Sequence, residues 1–168
     1  MPARKTAPAY DDLVRRMGAI QKRLKRKKLT VAGAESCTGG LLGAVLSELS
    51  GSSDHYLGGA VVYSDDAKAA LADVAPDLIH GHGAVSPVVA GALARGIRQR
   101  LGAKIGLGIT GIAGPSGATA TKPVGLVYVA VDSDRHSSVR TCRFSFDRAG
   151  NRLASVGAAL DLLEEAIG

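Results

Sequence analysis

The segment LTVAGAESCTGG, residues 29–40, joins an apolar run to three side chains that can act as nucleophiles and then to two glycines. The apolar run, residues 29–34, predicts a short buried strand. From about residue 39 to residue 50, Leu42, Val45, Leu46 and Leu49 share one face of a helix. A strand that passes directly into a helix indicates an α/β domain.

The rest of the chain continues this alternation of strand and helix periods. A basic helix precedes residue 29, and further helices are predicted at 65–74, 86–101 and 147–167. Strands are predicted at 57–64, 103–110, 123–132 and 137–146, the last two as an antiparallel pair, and HGHGAV, residues 80–85, is predicted to be a loop. We therefore expect a single-domain three-layer α/β/α sandwich with a mixed sheet over residues 10–168, preceded by a flexible tail at 1–9.

Composition is typical of an ordered domain with a core of small aliphatic side chains. Of the 168 residues, 46% are apolar, and the chain has 22 glycines, four Tyr, two Phe and no Trp. Cys37 and Cys142 are far apart in the chain, and neither a signal peptide nor an apolar run of membrane-spanning length is present. A cytoplasmic protein without a structural disulfide or a membrane partner is expected.

The positive charge is concentrated in one segment. The net charge is +6, but residues 1–28 carry ten Lys or Arg and two Asp, so the rest of the chain is slightly acidic. Leu13, Met17, Ile20 and Leu24 recur at helical spacing, which predicts an amphipathic helix with its basic residues on the solvated face. Contact with nucleic acid through QKRLKRKK, residues 21–28, is the alternative for this helix.

Two glycine-rich loops follow predicted strands, and ligands of open α/β sheets bind outside the carboxyl ends of such strands. In AESCTGG, a hydroxyl or thiol lies beside the N–H groups of a helix start, which can stabilise an oxyanion. Ser36 and Cys37 are both candidate nucleophiles, and Ser36 or Thr38 could equally be a plain helix cap. TGIAGPSG, residues 110–117, suits close approach to a phosphate, although it matches neither common phosphate-loop pattern and could be a simple turn.

Five motifs occur in order along the chain: AESCTGG, GSS before a strand ending in VVYSDDAK, HGAVS, TGIAGPSG followed by KPVGLVYVAV, and FDRAGNR. Together they resemble the C-terminal domain of the competence-damage-inducible protein CinA. Stand-alone members of that family are nicotinamide-nucleotide amidohydrolases, also called nicotinamide mononucleotide deamidases. The resemblance extends from about residue 10 to the end, and the chain is expected to be the stand-alone form.

The resemblance implies a Ser/Lys amidohydrolase that needs no metal and no cofactor. Ser36 would attack the carboxamide of nicotinamide mononucleotide, and Lys68 would move the proton from the serine to the departing ammonia. Tyr63 and Thr110 are candidates to position the lysine or the amide. The implied substrate-binding residues are Glu35, Cys37, Thr38, Gly39, Gly40, Gly111, Ala113, Gly114, Gly117, Arg148 and Arg152. Family members are expected to be homo-oligomers, and the partner is a small nucleotide substrate.

Three positions depart from the family pattern: Asp65, Ala118 and Thr121. Asp65 replaces an Asn three residues before Lys68, and its negative charge would raise the pKa of the lysine. These departures leave a non-catalytic nucleotide-binding module of the same fold as an alternative function, beside a DNA-associated protein that acts through the basic helix.

Plainer roles are open for several of these side chains. Lys68 could be a solvated helix lysine paired with Asp65, and Arg148 and Arg152 could form surface ion pairs. Glu35 could orient the lysine or the ribose, or simply end the strand. The H-x-H of residues 80–82 has no Cys or carboxylate cluster near it in the sequence, as a metal site would need. A Ser-His-Asp triad is the second choice for the catalytic group.

Overall fold

The structure is a computed structural model that describes residues 6–168. Its helices and strands run in the order α1 (Tyr10–Lys27), β1 (Val31–Glu35), α2 (Leu41–Ser47), β2 (Tyr56–Val61), α3 (Asp65–Ala72), α4 (Pro76–His82), α5 (Pro87–Leu101), β3 (Ile105–Gly111), β4 (Leu126–Ser133), β5 (Ser137–Arg143) and α6 (Arg148–Ile167). One short 3₁₀ turn, Ser52–Asp54, lies between α2 and β2. The alternation predicted from the sequence is confirmed.

The five strands form one mixed sheet in the order β2-β1-β3-β4-β5. Strand β1 pairs in parallel with both β2 and β3, whereas β4 is antiparallel to β3 and to β5. The predicted antiparallel pair is therefore β4 and β5. Because β1, β2 and β3 are parallel, their carboxyl ends meet at one edge of the sheet, where α/β proteins bind ligands.

Helices cover both faces of the sheet, as the predicted three-layer sandwich requires. Helices α1, α2 and α6 pack on one face, and α3, α4 and α5 pack on the other. In β3, Ile105, Leu107 and Ile109 belong to the core beneath α1, α2 and α6. The alternate residues of β3 turn to the opposite face because side chains alternate along a strand.

Helix α5 approaches β3 so closely that only glycine fits between them. A Cβ added at Gly106 would lie 2.0 Å from the carbonyl oxygen of Ala94, and one at Gly108 would lie 2.5 Å from that of Ala90. Protein interiors tolerate no such overlap. The two glycines therefore fix the depth at which α5 lies over the sheet.

The amphipathic helix predicted for the basic segment is α1, in which Leu13, Met17, Ile20 and Leu24 are buried. Some of its basic side chains bind other parts of the fold. Arg16 forms ion pairs with Asp161 and Glu164 of α6. Elsewhere on α1, the Nζ atom of Lys25 lies 3.2 Å from the carboxylate of Asp54, and Lys27 donates to the carbonyl oxygens of Ile167 and Gly168.

The prediction that residues 80–85 form a loop is wrong for His80–His82, which belong to α4, and is confirmed for residues 83–85. Helix α4 starts at Pro76, buries Ile79, and ends where Gly83 adopts φ 80°. Gly81 faces open space, with no atom within 4 Å of an added Cβ. The His and Gly residues of segment 80–85 suggested a loop, whereas the packing of Ile79 stabilises a helix.

Only part of the predicted tail, residues 1–9, can be compared with the structure, since residues 1–5 lie outside the described residues. Residues 6–9 precede α1, and Ala7 and Pro8 lie next to Gly150 and Gly157 of α6. Within residues 6–168, no helix combines the length and the apolar character needed to cross a bilayer.

Two glycines of α5 offer a matched test of the packing. A Cβ at Gly96 would lie 1.7 Å from the carbonyl oxygen of Ala72, whereas one at Gly91 would make an ordinary 3.6 Å contact with Val139. Gly96→Ala should lower the free energy of unfolding by about 1–3 kcal/mol because it overpacks the contact between α3 and α5. Gly91→Ala should raise it by about 0.5–1 kcal/mol.

Urea denaturation of both variants beside the wild type measures these changes. Equal stability of the two alanine variants would contradict the close contact at Gly96.

Candidate active site

The carboxyl ends of the three parallel strands meet around Ser36. The Val62 N–H donates to the Glu35 carbonyl oxygen at 2.7 Å, and the Ser36 N–H donates to the Ile109 carbonyl oxygen at 2.9 Å. The chain that leaves β2 leads through Tyr63 towards Lys68. The sheet therefore brings together three segments that are far apart in the sequence.

Ser36 begins a tight turn between β1 and α2. Its side chain is largely buried, and the Gly39 N–H donates to the Ser36 carbonyl oxygen at 3.1 Å. Gly39 and Gly40 adopt φ values of 57° and 100°, a backbone region that glycine enters without strain. The turn is thus compact, and the two glycines permit it.

The carboxylate of Glu35, rather than the hydroxyl of Ser36 or Thr38, binds the N–H groups at the start of α2. Its carboxylate accepts hydrogen bonds from the N–H groups of Gly40, Leu42 and Gly43 and from the Thr38 hydroxyl, at 2.7–3.1 Å. The alternative that Ser36 or Thr38 caps the helix is therefore wrong. The expectation that free N–H groups of the helix start face the site is also wrong for these three amides.

Cys37 is buried in the core beneath α1, α2 and α6. Burial raises the pKa of its thiol to about 12. The thiolate is the nucleophilic form of cysteine, and at neutral pH almost none is present. Of the two candidate nucleophiles in the turn, the structure favours the hydroxyl of Ser36 on chemical grounds.

Lys68 is the largest fully buried polar side chain, with 1% of its surface exposed. It lies in the first turn of α3, and the Ser64 hydroxyl caps this helix by accepting a hydrogen bond from the Ala67 N–H at 3.1 Å. The Lys68 ammonium donates to the Tyr63 carbonyl oxygen at 3.4 Å, and it lies 3.8 Å from the Asp65 carboxylate. The alternative of a solvated lysine is wrong.

Burial lowers the pKa of Lys68, although the negative charge of Asp65 acts in the opposite direction. An ammonium group has three N–H donors, and this one meets a single long hydrogen bond and a loose ion pair. Because the ammonium form has too few hydrogen-bond acceptors, the neutral amine is favoured, and a neutral amine can accept a proton. The expected effect of Asp65 on this pKa is confirmed in direction, but burial outweighs it.

Thr110 ends up on the face of the sheet that α5 covers. Its buried hydroxyl donates to the Ala84 carbonyl oxygen at 2.8 Å, in the turn between α4 and α5. Lys122, which follows the glycine-rich loop, donates to the carbonyl oxygen of His82, the last residue of α4, at 3.2 Å. Thr110 therefore ties this turn to the end of β3, and Lys122 binds the end of the helix before the turn.

The glycine-rich loop after β3 is held to the start of α6 by two side chains. Asn151 donates to the Ala113 carbonyl oxygen at 3.0 Å, and Arg148 donates to the Gly114 carbonyl oxygen at 2.7 Å and to the Tyr63 hydroxyl at 3.2 Å. Gly114 and Gly117 have φ values of 85° and 95°. Tyr63, Arg148 and the loop are thereby brought together.

Asn151 was not among the residues that the sequence suggested. It is 1% exposed, and its side-chain oxygen also accepts from the Phe146 N–H at 3.1 Å. The available signal was a polar residue on the otherwise apolar face of the last helix, since Ala154 and Ala158 are buried along the same side. A buried amide in such a position must find partners.

Arg152 holds the Ser36 turn from α6 by donating to the Thr38 carbonyl oxygen at 2.8 Å. Within residues 6–168, neither Arg148 nor Arg152 forms an ion pair, so the alternative of surface ion pairs is wrong for both. Two guanidinium groups whose charge meets no carboxylate lie beside the Gly111–Gly117 loop and the Ser36 turn. Such groups can bind an anion.

A cavity of about 470 Å³ lies elsewhere, between β5, α6 and residues 6–8, and none of the site residues expected from the sequence lines it. In the described part of the chain, His, Cys, Asp and Glu form no cluster of three or more suited to a metal ion. The candidate residues Ser36, Lys68 and Thr110 lie instead at the carboxyl edge of β1, β2 and β3.

Residues 15–167 match the family described as CinA C-terminal domain. A CinA-like protein of Acidobacterium capsulatum is 50% identical over 140 residues, which are 83% of this chain and 34% of that protein. A CinA-like protein of Koribacter versatilis is 50% identical over 142 residues, which are 84% of this chain and 34% of that protein. The chain thus spans about one third of the length of these curated relatives.

Solved structures have the same fold. The competence/damage inducible protein CihA of Agrobacterium tumefaciens superposes with a TM-score of 0.90 at 35% identity, over 96% of this chain and 98% of that one. A CinA superfamily protein of Escherichia coli gives a TM-score of 0.87 at 29% identity, over 92% and 90% of the two chains. From its motifs, its fold and these matches, the chain belongs to the CinA C-terminal domain family.

Proposed function

We propose that this protein is an amidohydrolase that converts nicotinamide mononucleotide and water to nicotinate mononucleotide and ammonia. The observation that carries the proposal is the burial of Lys68 in α3, the helix that follows β2, where its lowered pKa favours the neutral amine. A neutral lysine near a serine is a competent general base for acyl transfer. The choice of substrate rests on the resemblance to the nicotinamide-nucleotide amidohydrolases.

In the first half of the reaction, the Ser36 oxygen attacks the carboxamide carbon while Lys68 accepts the serine proton. The tetrahedral intermediate then loses its amide nitrogen as the carbon–nitrogen bond breaks. Lys68 returns the proton to that nitrogen, so that ammonia leaves and an ester with Ser36 remains.

In the second half, water attacks the ester carbon and gives a proton to Lys68. The bond to the Ser36 oxygen breaks, and the serine recovers its proton from the lysine. The product is a carboxylic acid, which releases its proton to solvent and leaves as the carboxylate of nicotinate mononucleotide. Every step uses one nucleophile and one base, and none needs an oxidant or a reductant.

The substrate also carries a phosphate, for which Arg148 is the best candidate ligand. This guanidinium is exposed, binds only a carbonyl and a hydroxyl oxygen, and projects from the first turn of α6. Arg152 is less available, because it is partly buried and committed to the Thr38 carbonyl oxygen. Arg148 and the Gly111–Gly117 loop therefore form the proposed phosphate side of the site.

Ammonia release separates the proposed roles in the Ser36 turn. Ser36→Ala should lower the rate by more than about 10³-fold, and Lys68→Met by about 10²–10⁴-fold, since it keeps the buried volume but removes the base. Cys37→Ala should retain activity within about tenfold, because its buried thiol takes no part in proton transfer. A coupled assay with purified wild type and variants gives these rates.

The wild type also tests the alternative functions. If it binds nicotinamide mononucleotide in calorimetry but releases no ammonia, the chain is a nucleotide-binding module and the enzymatic proposal fails. If Cys37→Ala is as inactive as Ser36→Ala, the assignment of the nucleophile fails.

The pH dependence tests the base. Because Lys68 must be neutral to accept a proton, kcat/KM should rise with pH through the pKa of Lys68. Asp65 raises that pKa, so Asp65→Asn should move the acid limb of the profile to lower pH. Asp66→Asn is the matched control, since it removes the neighbouring first-turn carboxylate, which forms no ion pair with Lys68. An unmoved limb in Asp65→Asn would exclude Lys68 as the titrating group.

The phosphate assignment predicts a loss that depends on the ligand. Arg148→Ala should weaken binding of nicotinamide mononucleotide by about tenfold or more, the scale of one charge-assisted hydrogen bond. Binding of nicotinamide riboside, which lacks the phosphate, should change little. Isothermal titration of both ligands measures this, with the exposed Arg143→Ala as control. An equal loss for both ligands would contradict a phosphate contact at Arg148.

A further inference from the structure

We infer that Glu35 is the positioning residue of the nucleophile: its carboxylate holds the Ser36 turn and leaves the N–H groups of Cys37 and Thr38 as the oxyanion donors. The inference rests on the proposed amidohydrolase activity and deepens it. Glu35 stands directly before Ser36 in the chain, so any movement of its backbone is passed to the serine.

The contacts of Glu35 span the whole turn. Its Oε2 atom accepts from the Thr38 hydroxyl at 2.7 Å, the Gly40 N–H at 3.1 Å and the Leu42 N–H at 2.9 Å. Its Oε1 atom accepts from the Gly43 N–H at 2.8 Å. One side chain thus fastens four residues that follow the nucleophile, and Ser36 lies inside the loop that these bonds close.

The surroundings of Glu35 suit an internal brace better than a contact with substrate. Only 4% of its surface is exposed, and within residues 6–168 it forms no ion pair with Lys, Arg or His. Its backbone is also fixed, because its carbonyl oxygen accepts from the Val62 N–H of the neighbouring strand segment. Lys68 makes its own contacts with Tyr63 and Asp65, so Glu35 is not its partner.

A count of the amides in the turn identifies the oxyanion donors by elimination. The N–H groups of Ser36, Gly39 and Leu41 bind backbone carbonyl oxygens. Those of Gly40, Leu42 and Gly43 bind Glu35. Within the described residues, the Thr38 N–H has no acceptor, and the Cys37 N–H meets only the thiol of its own side chain, which is a weak acceptor. Two adjacent amides without a strong acceptor, next to the nucleophile, are the arrangement that stabilises a tetrahedral oxyanion.

The same contacts prevent the start of α2 from binding the phosphate of the substrate. With its first amides bound to Glu35, the helix start has no donors left for the phosphate of the substrate. Arg152 adds a second restraint on the turn through the Thr38 carbonyl oxygen. Glu35 thus holds Thr38 by its hydroxyl, and Arg152 holds it by its carbonyl oxygen.

Glu35→Gln tests the inference with almost no change in volume. The amide can keep its oxygen at the Oε2 position, but its NH₂ group then faces the Gly43 N–H, donor against donor. We expect kcat for ammonia release to fall about 10–100-fold, the scale of a small displacement of a reacting group, with KM changed less than about threefold. Glu48→Gln, the same change at an exposed glutamate of the α2 end, should leave both constants unchanged.

Thr38 provides a graded companion test. Thr38→Val removes one hydrogen bond to Glu35 and should lower kcat less than Glu35→Gln does. Thr38→Ser keeps the hydroxyl and should restore kcat to within about threefold of the wild type. If the role of Glu35 were purely structural, Glu35→Gln and Thr38→Val would both lower the melting temperature, but neither would lower kcat selectively.

A readout that does not use nicotinamide mononucleotide separates this inference from the proposed function. The rate at which a fluorophosphonate modifies Ser36, followed by intact-protein mass spectrometry with Ser36→Ala as blank, reports the geometry of the nucleophile and its oxyanion donors. Glu35→Gln should slow labelling at least tenfold, even if the true substrate is another amide. Equal labelling rates or an unchanged kcat would overturn the inference, and so would a wild type whose Ser36 is not labelled.

Discussion

The hydrogen bonds at the end of β1 are the constraint on which the site depends. The Val62 N–H and the Ile109 carbonyl oxygen hold Glu35 and Ser36 between the two neighbouring strands. Because both neighbours run parallel to β1, the carboxyl end of β3 places Thr110, and the segment that leaves β2 carries Lys68, at the same edge. An antiparallel neighbour would have placed its outgoing segment at the opposite edge, away from Ser36.

Two buried ionisable side chains in this site, Glu35 and Lys68, differ in how many hydrogen-bond partners they have. The Glu35 carboxylate receives four hydrogen bonds, which compensate it for the loss of water. The Lys68 ammonium meets one carbonyl oxygen at 3.4 Å and a mostly exposed carboxylate at 3.8 Å. The first arrangement gives a rigid brace, and the second favours a neutral amine that can accept and return a proton. The difference matches the two roles that the proposed reaction needs.

Much of the fold was predictable because its signals are local. Ser86 caps α5 by accepting a hydrogen bond from the Val89 N–H, Pro87 takes its first position, and Gly102 ends it. The buried stripe of α1 follows from the spacing of its four apolar residues. Helix α4 was missed because its seven residues carry little helical signal of their own, and contact with α3 and α5 stabilises it.

The sequence by itself determined every element but α4, the mixed sheet and the candidate nucleophilic segment, since periodicity, caps and motif order lie within short stretches of chain. Only the tertiary structure decided what several of those residues do. The burial of Lys68, the binding of Arg148 to both Tyr63 and Gly114, and the hydrogen bond from Asn151 to Ala113 each depend on residues brought together by the fold. Glu35 is the clearest case, because its partners are close in sequence, yet only the turn geometry aims their N–H groups at its carboxylate. Hydrogen bonds depend on distance and direction, and neither is written in the order of the residues.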